Sequence, residues 1–472
     1  MFRTFCNENL QEQDMTNKFC TPGAAILLCI FFPLGCNNQK PNEDERNRAA
    51  IEGETSFTDA ELLDMVQEQT FNYFWDGAEP VSGLARERLH TDNNYPDHSK
   101  DIITSGGSGF GLMAILVGVE RGFISREDAI ERYTKIIGFL ENADRFHGAW
   151  PHWLNPDGTV YPFSPADNGG DLVETAFLVQ GLLTVKEYLN ESEPQEKELA
   201  TRITKLWEEV EWDWYTRGGE QVLYWHWSPQ YGWEMNFPIG GYNECLIVYI
   251  LATASPTHGI EKEVYENGWA RAGAILNDTT FYGRETELDH YEFSNQPVGP
   301  LFWAHYSYLG LDPKGLQDQF ADYWKLNTNH ASIHYAYCLD NPLNFDGYGK
   351  NQWGLTSSYS MTGYAAHQPT NDLGVISPTA ALSSMPYTPE QSTDFLRQLY
   401  TKQDSLIGKY GPYDAYSNTH NWYVPRYLAI DQGPIPVMIE NHRSGLLWNL
   451  FMNNEDVQNG LKKLNFSSPY LQ

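Results

Sequence analysis

The sequence predicts an all-α fold, an (α/α)6 toroid, and three observations carry that expectation. Helical segments of two kinds alternate six times between residues 58 and 451. One kind is amphipathic and charged; the other is apolar or small almost all round, the mark of a helix buried on every side. The connections alternate too, short after each apolar segment and long before the next one. An outer ring of six charged helices around an inner ring of six apolar ones is the simplest closed arrangement with this pattern. A superhelical solenoid would show self-similarity at a fixed period, and none is visible; an irregular bundle is the remaining all-α solution.

The chain begins with a leader. Residues 1–14 carry Glu8, Glu12 and Asp14, wrong for the positive start of a signal peptide, whereas a start at Met15 gives Lys18 and then an apolar run from Ala24 to Leu34. That run ends in Leu34-Gly35-Cys36, a bacterial lipobox pattern in which Cys36 would be lipidated. Residues 1–36 are therefore expected to be a lipoprotein signal peptide and 37–57 a flexible, polar tether. Residues 58–472 form a single domain on this reading, placed in the periplasm or at the outer membrane. A transmembrane anchor is the competing reading, but about 11 apolar residues fall short of the ~20 that a bilayer needs.

Within the domain the charged helices are expected at 58–75, 126–143, 197–214, 261–273, 316–337 and 389–403. Periodicity and caps place the apolar ones at 108–122, 171–189, 241–254, 299–310, 377–385 and 433–451, with a closing helix at 454–464. The long connections are 77–107, 144–170, 215–240, 274–298, 338–376 and 404–432. In a toroid all of these fall on one rim, at the N-termini of the inner helices. Long ordered loops in compact domains are usually functional, so that rim is the expected cleft.

Composition narrows the ligand. A net charge of −31, from 31 Lys+Arg against 62 Asp+Glu, excludes nucleic acid and anionic membrane surfaces as partners. Of six cysteines only Cys245 and Cys338 lie in the domain, both in apolar helical contexts that suit buried free thiols. No zinc or phosphate-loop spacing occurs, so neither metal nor cofactor is expected.

The rim contains the chemistry. Asp167, Asp171 and Glu174 lead into the apolar helix beginning at 171, and Glu244 sits in the first turn of the next inner helix. Asp171 and Glu174 share a helix face, beside Gly169 and Gly170, which allow close approach. Asp-x-x-Glu before an apolar run is equally a capping box without catalysis. Clustered carboxylates raise the pKa of at least one member, while a helix N-terminus favours the ionised form. Aromatics crowd the same loops, among them Trp150, Trp153, Trp225, Trp227, Trp233, Trp353 and Trp422, and offer platforms for sugar rings as well as core packing. Asp431, Arg443 and His367 are further candidate sugar-binding groups, although Glu440 and Arg443 at helical spacing also suit a structural ion pair. Carboxylates without metal or nucleophile motifs point to glycoside hydrolysis on a neutral glycan. A non-catalytic glycan-binding lipoprotein would keep the aromatics without needing the four acids, and a polysaccharide lyase would want a basic cleft.

The strings ITSGGSGFGLMAIL, GGDLVETAFLVQGLL, GYNECLIVYILA, GPLFWAHYSYLG and YLAIDQGPIPVMIENHRSGLLW resemble the bacterial glucoamylase-like family, glycoside hydrolase family 144, over residues 58–464. The resemblance implies an (α/α)6 toroid and an anomer-inverting hydrolase of β-1,2-glucan or its oligosaccharides. Such enzymes act either endo or by exo release of sophorose. It carries the family's acidic residues onto Asp167, Asp171, Glu174 and Glu244. An exo enzyme needs a blocked end to the cleft, which the first long loop with Arg86, Arg88 and His90 could supply, so exo action is the expectation. A monomer is expected.

Overall fold

A computed structural model describes residues 57–95, 99–290, 298–402 and 404–471. The expected signal peptide, Cys36 and nearly all of the expected tether lie outside the described residues. The chain is helix-rich, with α1 Asp59–Trp75, α2 Ser105–Glu120, α3 Arg126–Leu140, α4 Leu172–Tyr188, α5 Pro194–Glu208, α6 Leu246–Ala254 and α7 Lys262–Val264. These are followed by α8 Tyr323–Asp340, α9 Pro378–Leu382, α10 Pro389–Lys402, α11 Ala429–Gln432, α12 Pro434–Arg443, α13 Leu446–Asn453 and α14 Glu455–Lys463. No described helix is long and apolar enough to cross a membrane.

The two kinds of helix separate as expected. All of α6, and α2 and α4 except at their last residues, are buried, while α3 and α5 bury one stripe each. Helix α1 starts on a Thr58–Glu61 capping box and packs Leu62, Val66, Phe71 and Phe74 inward. Cys245 and Cys338 are buried and form no disulfide.

The contact that positions the site is between α2 and α4. A Cβ on Gly109 would lie 2.1 Å from the Phe177 carbonyl oxygen, and one on Gly181 would lie 2.3 Å from that of Gly109. Only glycine permits this approach. Matching neighbours rise together in both helices, so α2 and α4 run parallel with their N-termini side by side.

Several predicted helices are shorter or broken. The segment predicted at 299–310 is two 3-10 turns, Leu301–Ala304 and Ser307–Leu309. Its first amides are claimed from outside, Leu301 donating to the Leu355 carbonyl and Phe302 to Thr356 Oγ1. The segment 261–273 passes through α7 and a π turn into a 3-10 turn in which Ala272 is left-handed, φ 53°. Gly445, at φ +74°, divides 433–451 into α12 and α13. The helix predicted from 241 begins at Leu246, because Asn243 Oδ1 accepts from the Cys245 amide and closes a turn there. Helix α5 ends at Glu208, with Trp212–Thr216 a separate 3-10 turn, and α8 starts only at Tyr323, capped by Asp322.

Candidate active site

Three chain segments meet at the N-termini of α2 and α4. Strand Ile103–Thr104 pairs antiparallel with Trp153–Leu154, and the Ser105 amide donates to the His152 carbonyl at 3.1 Å. Strand Gly170–Asp171 pairs with His226–Trp227, setting Asp171 opposite His226. The pairings bring two histidines to the carboxylates that start α4.

The capping box offered by Asp171 and Glu174 forms only by half. Asp171 Oδ1 accepts from the amides of Val173 and Glu174 at 3.0 and 2.9 Å, so the residue caps α4. Its own amide donates to the Trp150 carbonyl at 3.0 Å, which leaves Glu174 without its reciprocal partner. Glu174 Oε2 instead accepts from the Gly106 amide of α2 at 2.8 Å. A Cβ at position 106 would lie 2.4 Å from that oxygen, so the carboxyl occupies space that glycine leaves.

Asp171 Oδ2 lies 2.9 Å from His152 Nδ1 and 3.7 Å from His226 Nδ1, and Asp167 Oδ1 lies 3.4 Å from His226 Nδ1. Burial opposes charge on both histidines, but the surrounding carboxylates outweigh it, raising His226 and taking His152 to about 10. Burial works against the Asp167 carboxylate, yet the His226 charge holds it below its usual range. For Glu174 burial prevails: its pKa rises to about 7, against the His152 charge and the Gly106 amide and with help from Asp171 and Glu87. At neutral pH this carboxyl carries a proton for much of the time.

Glu244, 6% exposed, reaches the same space from the loop before α6, where its carbonyl accepts from Ser307 Oγ. The buried Tyr306 phenol marks the convergence. Burial raises its pKa well above the usual value, and the charges of Asp431, Glu244 and Glu174 act in the same direction. Among the described residues, His152, Asp167 and Asp171 could hold a metal ion, with ligand atoms within 4.8 Å of one another. A protonated His152 already supplies positive charge there.

The proposed platforms divide. Trp225 stacks on the His226 ring, 5.7 Å between centroids and 19° between planes, and so orients it. Trp227 faces away from Asp171, because neighbouring strand residues point to opposite sides; it lies against Phe146, His147 and the exposed Trp214. Trp233 joins that outer group beside Tyr215 and Tyr224. Trp150 and Trp353 are fully buried and donate their indole N–H groups to the carbonyls of Leu140 and Gln391. Neither offers a sugar a face. Half-buried Trp422 packs against the buried cluster of Tyr359, Val424 and Leu428.

Two further expectations are corrected. Arg443, at the far end of α12, donates to Asp64 at 2.6 Å and to Gln67 at 2.7 Å, while Glu440 pairs with Arg121 instead. His367 is fully buried, and burial lowers its pKa to about 4, so it reaches no sugar. Sequence reasoning missed His152, Gly106 and Tyr306. The one available signal for Gly106 was the density of small residues in SGGSGFG, far more than helix propensity favours.

Residues 236–455 match the model of the family described as "Putative glucoamylase". An exo β-1,2-glucooligosaccharide sophorohydrolase of Parabacteroides distasonis is 45% identical over 448 residues, 90% of this chain. The chain spans 60% of the length of that relative. The solved endo-β-1,2-glucanase of Chitinophaga pinensis, in complex with sophorotriose and glucose, is 61% identical at a TM-score of 0.86, covering 88% of this chain and 100% of its own. The endo-β-1,2-glucanase of Talaromyces funiculosus, 11% identical at a TM-score of 0.59 over 87% of this chain and 89% of its own, shares the fold alone. Identity of this order across the whole length of a solved relative shows that the chain belongs to the bacterial glucoamylase-like family, glycoside hydrolase family 144.

Proposed function

We propose that the chain hydrolyses β-1,2-glucan at internal linkages, with inversion of the anomeric centre, and that Glu174 is its general acid. One observation carries the reading: Glu174 is buried, free of its capping box, and held at a pKa of about 7 beside two carboxylates that face histidines. A glycosidase needs such a protonated carboxyl to deliver a proton to the leaving oxygen. Glu244 is the companion base that takes a proton from the attacking water on the opposite face of the sugar. It projects from a different loop, as suits the ~6.5–9.5 Å that inversion requires between the two carboxyls. Asp167 and Asp171 present negative charge to the oxocarbenium-like centre.

Endo action is favoured by the endo-named relative, which this chain covers from end to end, whereas the exo-named one extends well beyond it. The residues suggested as an exo block are engaged elsewhere. Arg86 donates to Asp101 and to the carbonyls of Gly77 and Ala78; Arg88 lies over Trp153; His90 contacts Tyr359 and the Asn94 carbonyl.

The same reading closes the helices into an (α/α)6 toroid in which the paired 3-10 turns at 301–309 stand for one inner helix. It places the protein as a monomer at the cell envelope, through a lipid on Cys36. Loss of the membrane-bound fraction in a Cys36→Ser variant is the check on the anchor.

Product analysis tests the activity. Protein lacking residues 1–36 is incubated with linear β-1,2-glucan, short β-1,2-glucooligosaccharides and soluble starch. A ladder of mixed lengths from the glucan, and nothing from starch, is the expected result. Sophorose alone as the early product would make the enzyme exo-acting, and sugar binding without cleavage would make the chain a glycan-binding protein.

A further inference from the structure

A second pair of buried carboxyl groups has no part in the mechanism above. Asp431 in α11 and Asp414 in the loop after strand Gly411–Pro412 are each 2% exposed. Asp414 is fixed at both ends. Its Oδ2 accepts from the Tyr359 amide at 2.8 Å, and its own amide donates to the Arg426 carbonyl at 2.9 Å. The two carboxyl groups lie close enough to interact directly, and among the described residues no N–H or O–H reaches the buried Asp414 Oδ1 or Asp431 Oδ2. Two carboxyl groups can hydrogen-bond only through a proton that one of them carries, and buried like charges without one would repel.

Among the described residues the nearby arginines have other partners. Glu87 adds negative charge to both members of the pair. Arg88 lies 3.8 Å from Glu87 and over Trp153, while Arg426 lies over the Tyr359 ring and 3.6 Å from Asp92. Tyr306 and Tyr359 are neighbouring phenols whose pKa values burial has raised, and the Tyr359 hydroxyl is hydrogen-bonded to His90. Burial likewise raises Asp414 to about 6 and Asp431 well above the usual carboxylate value.

Asp431 also belongs to the cleft. Its charge acts on the Tyr306 phenol together with those of Glu244 and Glu174. We propose that Asp414 is a positioning residue that shares a single proton with Asp431 and thereby holds the Asp431 carboxyl as a fixed acceptor for a hydroxyl of the bound glucan. This rests on the hydrolase reading above. No bond is made or broken in this role, and the proton stays within the pair through turnover.

Three variants and one spectrum test it. Asp414→Asn keeps a donor facing Asp431 but cannot titrate; Asp414→Leu removes donor and proton together. For the wild type, KM for β-1,2-glucooligosaccharides rises about tenfold on the alkaline side as the shared proton leaves and the two anions repel. Asp414→Asn has a near-normal KM at neutral pH and no alkaline rise, whereas Asp414→Leu has a KM about tenfold higher throughout with kcat little changed. An alkaline rise that persists in Asp414→Asn, or a normal KM in Asp414→Leu, overturns the proposal. The infrared spectrum of the wild type at neutral pH needs neither activity nor a folded Asp414 variant. A protonated-carboxyl C=O band that vanishes in Asp431→Asn supports the shared proton, and its absence from the wild type sinks it. Failure of the hydrolase reading is separately visible, as wild-type protein that cuts nothing.

Discussion

Glu174 near the start of α4 and Glu440 near the end of α12 are both buried glutamates on interior helices, yet they have opposite electrostatics. Glu440 receives Arg121 Nε and Nη2, each at 2.6 Å, together with Gln67 Nε2 at 3.2 Å and Ser444 Oγ at 2.6 Å. Burial pushes its pKa up, but the arginine and the hydroxyl outweigh burial and leave it below the usual value. Glu174 makes no ion pair of its own: burial raises its pKa to about 7, against the charge of His152 and one backbone amide and with help from Asp171. Burial of an acid therefore does not mark function. The decisive matter is whether the buried cation pairs directly with the acid, as Arg121 does with Glu440, or is held by a neighbouring carboxylate, as His152 is by Asp171, so that burial still leaves the acid its proton.

The largest effect should come from removing the proton carrier. Glu174→Gln is expected to lower kcat by about 10²–10⁴-fold with the fold intact, and a variant that keeps activity near wild type would break the contrast. Gly106→Ala, which thrusts a Cβ toward Glu174 Oε2, should cost about 10²-fold in kcat through misplacement of the acid. Steady-state kinetics with little change in KM would confirm it.

Arg121→Met is the matching change at the other glutamate. It leaves Glu440 buried without its cation, so urea denaturation should show about 3 kcal/mol of lost stability. The kcat of the folded fraction should stay unchanged, and a large fall in kcat would mean that the two ends of the interior are not independent.

The pH dependence sharpens the comparison at smaller amplitude. Activity should fall as pH rises through about 7, because Glu174 loses its proton there. Replacing His152 by Gln removes a charge that lowers the Glu174 pKa, so this limb should move to higher pH. The stability signs are opposite. A carboxyl whose folded pKa is raised destabilises the fold progressively as pH climbs from the unfolded value near 4.3 to about 7. The Tm gain of Glu174→Gln over wild type should therefore grow across that window and then level off. Glu440 has a lowered pKa, so the stability it contributes is present above the unfolded value and lost as pH falls through the folded one. The smallest effect expected is that of Trp227→Ala, which points away from Asp171; kcat/KM within about threefold of wild type, measured on long glucan, would place it outside the cleft.

Legibility in the sequence followed the range of the interaction. Helices α1, α3, α4 and α10 were readable because their periodicity and caps are local, as in the Thr58–Glu61 box. The turns at 301–309 were not, since the amides that would have begun a helix are taken by Leu355 and Thr356 far along the chain. Trp227 and Trp225 look equivalent in sequence, but Trp227 lies in the strand and is turned away from the His226 side, whereas Trp225 precedes the strand and stacks on His226.

The sequence by itself determined the alternation of buried and amphipathic helices, the acidic balance of the chain, and the presence of Asp167, Asp171 and Glu174 at the start of one buried helix. Those properties depend on residue type and spacing alone. Only the tertiary structure decided what each acid does. The glycine contact of α2 with α4 draws Glu174 to the Gly106 amide, the strand pairing sets His226 opposite Asp171, and Arg121 reaches Glu440 across 319 residues of chain. A carboxyl's charge state depends on burial and on neighbours within a few ångströms, and for these acids the deciding neighbours come from distant parts of the chain.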